Sequence, residues 1–413
     1  MTTPAASMLT TPAAPLPVSP LGRHRLLAPS AGVLVSPLCL GAMNFGTAWE
    51  KMLGKCTKET AFEILDYFYE QGGNFLDTAN DYQAEESEQW IGEWLVSRGS
   101  QRRDEMVIAT KFTNGFKVLS DPRLQQSNFG SNNSKSLLTS VNASLQKLQT
   151  SYIDLLYVHY WDFTTGVEEL MQSLNHLVAS GKILYLGVSD TPAWVVVKAN
   201  EYARSHGLRP FSVYQGRWSA AVRDFERDII PMCLDQGMGI APWGALGGGM
   251  FKPTQQGVIG ESGRNMASLS LGTEEQVSRV LEKIANARRR PVPLTSIALA
   301  YVMHKAPYTF PIVGGRKVEH LKSNIEALTV RLSQEEIEEI DGAYPFDLGF
   351  PMNFVSGGKR SRIQGPDDIV FTKRMGHPDF VKGTQPILPP AEAENLEGGE
   401  RAEALGYRIS DGD

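Results

Sequence analysis

Residues 153–188 open with Ile153-Asp-Leu-Leu-Tyr-Val-His159, continue through an amphipathic stretch from Val167 to Ser180, and close with Ile183-Leu-Tyr-Leu-Gly-Val188. A short apolar run, a segment of helical period and a second apolar run make one strand, helix and strand in succession. The runs are continuous rather than alternating, as parallel strands buried on both faces require. The rhythm extends in both directions. Upstream lie Leu38–Asn44, Asn74–Thr78 and Met106–Lys111; downstream lie Phe211–Gln215, Met238–Pro242 and Tyr308–Val313. Helical stretches alternate with them: Ala61 to Phe68, Glu86–Ser97, Ser136–Leu148, Pro192–Ser205, Phe225–Gln236, Glu274–Arg288 and Val318–Leu328. This pattern predicts an α/β fold, a (β/α)8 TIM barrel, with a doubly wound open sheet as second choice.

The flanks break the rhythm. Residues 1–24 begin with Ala, Pro, Thr and Ser without period and are expected to form a disordered N-terminal tail. Leu26–Val35 carries a Pro-Ser-Ala-Gly turn between β-prone runs, which predicts an N-terminal β-hairpin. The barrel is assigned to residues 25–345. Near its end, Ser333-Gln-Glu-Glu336 is a capping box opening a further helix to about Gly342. Residues 346–413, rich in Pro, Gly and charge, are expected to be an irregular C-terminal extension. Two long connections, Phe112–Asn133 and Gly247–Gly272, follow the third and seventh strands, at the barrel face where active sites are built.

Composition removes several classes of function. A net charge of −6 over 413 residues gives no general attraction to nucleic acid or to an anionic membrane surface. No apolar run approaches a bilayer span. The three cysteines, Cys39, Cys56 and Cys233, are odd in number and widely spaced, which fits a reducing, cytoplasmic setting. The seven histidines contain no HxH or HxxxH pair, so no metal site is expected.

Four ionisable groups fall at or just beyond strand ends: Asp77, Tyr82, Lys111 and His159. Adjacent barrel strands would bring them together. A lysine paired with an aspartate and set beside a tyrosine favours the phenolate, lowering the phenol from its usual value near 10. Such a phenol is a general acid, and a neutral histidine can orient a carbonyl oxygen. Any one of these residues alone would more often be structural; the constellation describes a site that polarises and protonates a carbonyl.

A second group suits a nucleotide cofactor. Ser189, Asp190 and Gln215 end the fifth and sixth strands and could jointly bind a carboxamide. Ala241-Pro-Trp-Gly-Ala-Leu-Gly-Gly-Gly249 supplies a flat indole and backbone amides free of side chains. Pro311-Ile-Val-Gly-Gly-Arg-Lys317 ends the last strand at a helix start and adds two positive charges, as a barrel phosphate site does. No GxGxxG follows an early strand, which disfavours a Rossmann domain.

These residues resemble the aldo-keto reductase superfamily, in its fungal aryl-alcohol dehydrogenase and norsolorinic acid reductase-like branch. The likeness rests on Leu-Gly-Ala-Met-Asn-Phe-Gly46, Asn-Phe-Leu-Asp-Thr-Ala-Asn-Asp-Tyr82, Val-Ile-Ala-Thr-Lys111, Tyr-Ile-Asp-Leu-Leu-Tyr-Val-His159, Leu-Gly-Val-Ser-Asp190 and the Trp243 and Arg316 loops. It implies metal-free, NADP(H)-dependent reduction of a carbonyl by direct hydride transfer, with Asp77, Tyr82, Lys111 and His159 as catalytic tetrad and Tyr82 as proton donor. It further implies that Ser189, Asp190 and Gln215 hold the carboxamide, that Trp243 stacks on the nicotinamide, and that backbone at Ala42 and Met43 faces the cofactor. Gly244, Ala245, Leu246, Gly248 and Lys252 would follow the pyrophosphate; Gly314, Arg316, His320 and Asn324 would surround the 2′-phosphate and adenine. Asp190, Trp243 and His320 stand where the wider superfamily has Asn, Tyr and Gln.

The substrate implied is a small aromatic aldehyde or ketone, with aryl-alcohol oxidation as the reverse reaction and polyketide secondary metabolism as the setting. Phe45, Trp49, Phe112, Tyr160, Trp161 and Trp218 are candidates for an aromatic slot. Two other readings compete. One is a cofactor-sensing regulatory subunit of the potassium-channel β-subunit type; the other is a metal-free lyase or isomerase, which would have no use for the Trp243 and Arg316 loops.

Overall fold

A computed structural model of the chain describes residues 14–253, 270, 272–358, 363 and 365–408. The predicted hairpin is present as β1 (Arg25–Ala28) and β2 (Ala31–Val35), paired antiparallel. Eight parallel strands follow: β3 (Cys39–Gly41), β4 (Phe75–Asp77), β5 (Val107–Phe112), β6 (Ile153–Val158), β7 (Ile183–Ser189), β8 (Val213–Arg217), β9 (Gly239–Trp243) and β10 (Ile312–Val313). Each pairs with its sequence neighbour, and β10 returns to pair with β3. Between β9 and β10 the barrel closes through Ile240, whose N–H donates to Tyr308 O and whose carbonyl accepts from Phe310 N, both at 2.8 Å. All eight runs read from the sequence are strands of this barrel.

Two apolar layers hold it. Inside the barrel, Phe75, Ala109, Leu155, Tyr157, Val213, Ala241 and Phe310 pack with Leu27, Ala28, Ala31 and Val35 of the hairpin, which plugs the end where the strands begin. Outside, helices lay one face on the strands. The helix Lys58–Glu70 is typical: Thr57 caps its start by accepting from Thr60 N at 3.2 Å, and Ala61, Ile64, Leu65 and Phe68 are buried. Each fully buried Ile, Leu or Phe contributes roughly 1.5–3 kcal/mol, so the helix is held by packing more than by its propensity.

The structure departs from the sequence reading in four places. Within the expected disordered tail, Pro20–Gly22 form a short helical turn capped by Ser19, and Leu21 is fully buried, because this apolar side chain finds a place in the core. The β9–β10 connection carries a second helix, Leu294–Lys305, beyond Glu274–Ala287. Nearly every residue of that second helix is buried, so it has no polar face and no amphipathic period to read. A short polar helix, Ser100–Glu105, precedes β5. The extension expected to be irregular contains the helix Gly398–Leu405, which buries Ala402 and Leu405. Arg23 Nη1 donates to Leu405 O at 2.5 Å and Arg288 Nη1 to Glu394 Oε1 at 2.9 Å, tying the extension to the barrel. The capping box at Ser333 and Glu336 forms and opens Gln334–Asp341. Residues 1–13 of the expected tail and most of the 254–271 connection lie outside the described residues. Among the described residues no helix is long and apolar enough to cross a membrane.

Candidate active site

The carboxyl ends of the barrel strands surround a cavity of about 340 Å³. Asp77 is the last residue of β4, Lys111 lies in β5, and His159 directly follows β6. Tyr82 comes from the loop after β4. Lys111 Nζ donates to Asp77 Oδ1 at 2.6 Å, to Thr78 O at 2.7 Å and to Tyr82 OH at 3.2 Å. Gln215 Nε2 donates to the other Asp77 oxygen at 2.8 Å. The Tyr82 and His159 rings meet edge to face, centroids 5.9 Å apart. The four candidate residues thus form one cluster, with Lys111 fully buried beneath the cavity floor.

Burial raises the Tyr82 phenol and the Lys111 ammonium lowers it; burial is the stronger, and the phenol stands at about 12. The expectation of a phenol below its usual value is therefore corrected: lysine acts in the anticipated direction, but removal from water outweighs it. Burial also opposes the Lys111 charge, yet Asp77 and Tyr82 overcome it and hold the ammonium above its ordinary value. Burial, followed by the Lys111 charge, lowers His159 to about 3, so its imidazole is neutral. Its Nδ1 has no hydrogen-bond partner among the described residues and lies 4.0 Å from Asp81 Oδ1. The arrangement presents a protonated phenol backed by a fixed positive charge, beside a neutral imidazole.

Away from this cluster the cavity is lined by Met43, Ser189, Asp190, Gln215, Trp243, Gly244, Gly248 and Gly314 from the cofactor candidates. The Trp243 indole N–H donates to the Asp190 carboxylate at 3.3 Å, and Ser189 Oγ donates to it at 3.3 Å. Burial raises the Asp190 carboxyl to about 6, against the lowering effect of those two bonds. Gly244, Gly247, Gly248 and Gly249 have φ of 74°, 65°, 63° and 88°. These are left-handed conformations that glycine adopts without strain, and they leave a wall of backbone. A flat indole, a bare glycine wall and hydrogen-bonding groups converging on one spot fit a dinucleotide.

Ala42, Ala245, Leu246, Lys252, Arg316, His320 and Asn324 are not on the cavity wall. The Ala42 N–H donates to Asp77 O and its carbonyl accepts from Ser87 Oγ, both at 2.8 Å, so both of its backbone groups are already paired. Its two neighbours, Gly41 and Met43, are on the cavity wall. Ala245 is buried. Arg316, His320 and Asn324 lie beyond Gly314, at and within the helix Val318–Glu326. Of the proposed aromatic slot, Phe45, Phe112 and Trp218 are fully buried core, whereas Trp49 lines the cavity 6.0 Å from the Tyr82 ring. Sequence reasoning missed Asp81, Asn114, Arg217, Val222 and Glu274, which also line it. Asp81, beside Tyr82, and Arg217, two residues past Gln215, could have been found by adjacency; Glu274 had no local signal. Among the described residues no three His, Cys, Asp or Glu side chains cluster as metal ligands, and all three cysteines are buried and unpaired.

A parallel eight-stranded barrel with this cluster at its carboxyl face defines a class of oxidoreductase. Residues 37–345 match the Aldo/keto reductase family, and the chain belongs to it. It is 57% identical to norsolorinic acid reductase B of Dothistroma septosporum over 377 residues, covering 89% of this chain and 95% of that protein. It is 60% identical to norsolorinic acid reductase A of Aspergillus parasiticus over 345 residues, covering 83% and 87%. With the aryl-alcohol dehydrogenase [NADP(+)] of Phanerodontia chrysosporium it shares 48% over 387 residues, covering 91% and 98%.

Proposed function

We propose that this chain reduces an aryl aldehyde or ketone with NADPH, and oxidises the aryl alcohol in reverse, as a step of fungal polyketide metabolism. The observation that carries this reading is the Tyr82 hydroxyl, 3.2 Å from Lys111 Nζ and beside His159 in a cavity that suits a dinucleotide. NADPH, when bound, would supply the hydride for the carbonyl carbon. Tyr82 gives its proton to the carbonyl oxygen. As the phenolate forms, the Lys111 ammonium stabilises it in surroundings of low dielectric, where a fixed charge is worth more than in water. Asp77 keeps that ammonium charged and aimed, and is itself held by Gln215. His159, neutral, positions the carbonyl oxygen. Trp49 forms an aromatic wall against which an aryl group can rest.

Ser189, Asp190 and Gln215 would hold the carboxamide and Trp243 the nicotinamide face. The glycine wall would take the pyrophosphate, and Arg316 the 2′-phosphate. The names of the relatives, two reductases of norsolorinic acid and an NADP(+) aryl-alcohol dehydrogenase, support both the substrate class and the cofactor. The test is loss of NADPH absorbance with an aromatic aldehyde. Wild type should turn over and Tyr82→Phe should lose about 10²–10⁴-fold in rate; equal rates would remove Tyr82 as the acid. A wild type that binds NADPH but turns over no carbonyl would favour a cofactor-sensing subunit instead.

A further inference from the structure

Directly after Tyr82 the chain does something costly. Gln83, Ala84 and Glu85 have φ of 55°, 52° and 82°, three successive non-glycine residues in the left-handed region. Each such residue is disfavoured by roughly 1–2 kcal/mol, and strain of this kind persists only where the surroundings over-determine it. At Glu85 the restraint is ionic: its carboxylate pairs with Lys117 at 2.7 Å and with Lys147 at 3.0 Å. At Gln83 it is a buried amide that reaches a different part of the site. The side-chain Nε2 donates to Met43 O at 3.0 Å, and Oε1 accepts from Trp49 N at 2.7 Å. Gln83 is 1% exposed, so both bonds are shielded from water.

Met43 and Trp49 are on the cavity wall with Tyr82. Residues 46–56 form a loop pinched at its base by a bridge between Gly46 and Cys56. On its first arm, Thr47, Ala48 and Glu50 are exposed and Trp49 turns inward. Two side chains that follow Tyr82 in the chain hold that arm: Gln83 through Trp49 N, and Glu86, whose carboxylate accepts from Thr47 N at 2.5 Å. Gly46 completes the seat. Its φ is 150°, and a β-carbon there would stand 2.3 Å from Gln83 Cβ. The loop and the Gln83 side chain can approach this closely only because residue 46 has no side chain.

We propose that Gln83 is a positioning residue for substrate selectivity, its amide fixing the Trp49 wall relative to Tyr82 so that the slot takes a flat aromatic carbonyl. The proposal rests on the reductase reading above. Replacing the amide by an isosteric hydrocarbon leaves a buried N–H and a buried carbonyl unpaired, and Trp49 loses its register with the phenol. An aryl substrate, which uses that wall, is affected; a small aliphatic aldehyde, which does not reach it, is not.

The test compares 2-naphthaldehyde with propanal, at saturating NADPH, for wild type, Gln83→Leu, Gln83→Glu and Gly46→Ala. In Gln83→Leu the KM for naphthaldehyde should rise about tenfold, the usual scale of a lost buried hydrogen bond. The kcat/KM for propanal and the Kd for NADPH, read by fluorescence, should stay within twofold. Gln83→Glu keeps the acceptor for Trp49 N and should recover part of the aryl preference. Gly46→Ala displaces an unaltered Gln83 and should reproduce the selectivity loss, which keeps the test decisive if Gln83→Leu does not fold. Equal losses on both aldehydes, or a fall in kcat with unchanged KM, would overturn the proposal. Wild type inert toward both aldehydes would bring down the reductase reading itself, a result seen before any variant is made.

Discussion

The guanidinium of Arg316 rests on the bare α-carbon of Gly54, so closely that a β-carbon there would stand 1.8 Å from Nη1. Gly54 has φ 79° and belongs to the same 46–56 loop that carries Trp49. One loop therefore touches both the proposed proton donor and the cation proposed to hold the 2′-phosphate. A guanidinium that must grip a phosphate gains from being held in place beforehand.

Gly54→Ala should evict Arg316 from this seat. The Kd for NADPH is expected to rise about tenfold, one lost charge-assisted contact, with the Kd for NADH unchanged. Gly99→Ala is the control: its φ is 92°, and no atom lies within 4 Å of its added carbon. It carries the backbone strain without the clash and should leave both constants alone. Fluorescence titration decides the matter, and a parallel rise for NADH would show that Arg316 does not read the phosphate.

Lys111→Met separates charge from packing. Its stem volume is kept while the ammonium that bonds Asp77, Thr78 O and Tyr82 is lost. Without it, burial and the Asp77 and Asp81 carboxylates all push the phenol up with no ammonium to oppose them, and the phenolate is reached at greater cost. We expect kcat to fall by about 10²–10⁴-fold with NADPH affinity little changed, because Lys111 is not on the cavity wall. Stopped-flow single turnover measures the step directly. A fall in cofactor affinity with kcat intact would contradict the assigned role.

The barrel was legible because its signal is repetition: eight apolar runs with helical spacers leave few alternatives. The cluster of Asp77, Tyr82, Lys111 and His159 was legible because its members sit at or near strand ends, where sequence position and spatial position coincide. Legibility failed where those two diverge. Leu294–Lys305 is buried on all sides and offers no period. Glu274 reaches the cavity only through the path of a long connection. The sign of the Tyr82 shift depends on how deeply the ring is buried, a property of the assembled walls and not of the residues that compose them. Gln83 was invisible for a different reason: its partners, Met43 and Trp49, are 40 and 34 residues away and lie on another strand's loop.

His304 should make the protein acid-sensitive. Burial first, and then Arg25, Arg331 and Arg288, lower it from an ordinary 6.5 to about 3. Between those values the unfolded chain binds the proton and the folded one does not. Stability is therefore complete above about pH 6.5 and lost as pH falls toward 3, by up to about 1.4 kcal/mol per pH unit. His304→Gln can retain the bond that Nδ1 accepts from Leu332 N and has no proton to bind. Urea denaturation from pH 7 to 5 should show a shallower slope in the variant. It will not be flat, since His159 is also held at about 3. An unchanged slope would mean that His304 is protonated without unfolding.

The loop after β8 that supplies Val222 to the cavity is anchored by a buried ionic cluster. Lys305 Nζ donates to Glu226 Oε2 at 2.7 Å, to Asp341 Oδ1 at 2.6 Å and to Tyr301 OH at 2.9 Å. Arg223 pairs with Glu226 at 2.8 Å and with Asp341 at 3.3 Å. Across these contacts two cations face two carboxylates, so their charges balance. Lys305→Met leaves a carboxylate in excess, and breaking a buried pair from one side costs about 3–5 kcal/mol. Chemical denaturation should show a loss of that size. Lys305→Met combined with Glu226→Gln restores neutrality and should recover part of it, because the larger share of the cost is the uncompensated charge. A double variant no more stable than Lys305→Met would assign the loss to packing. In that case the loop, and with it Val222 at the cavity wall, would be held by the shape of the lysine stem and the cluster would have no electrostatic role in the site.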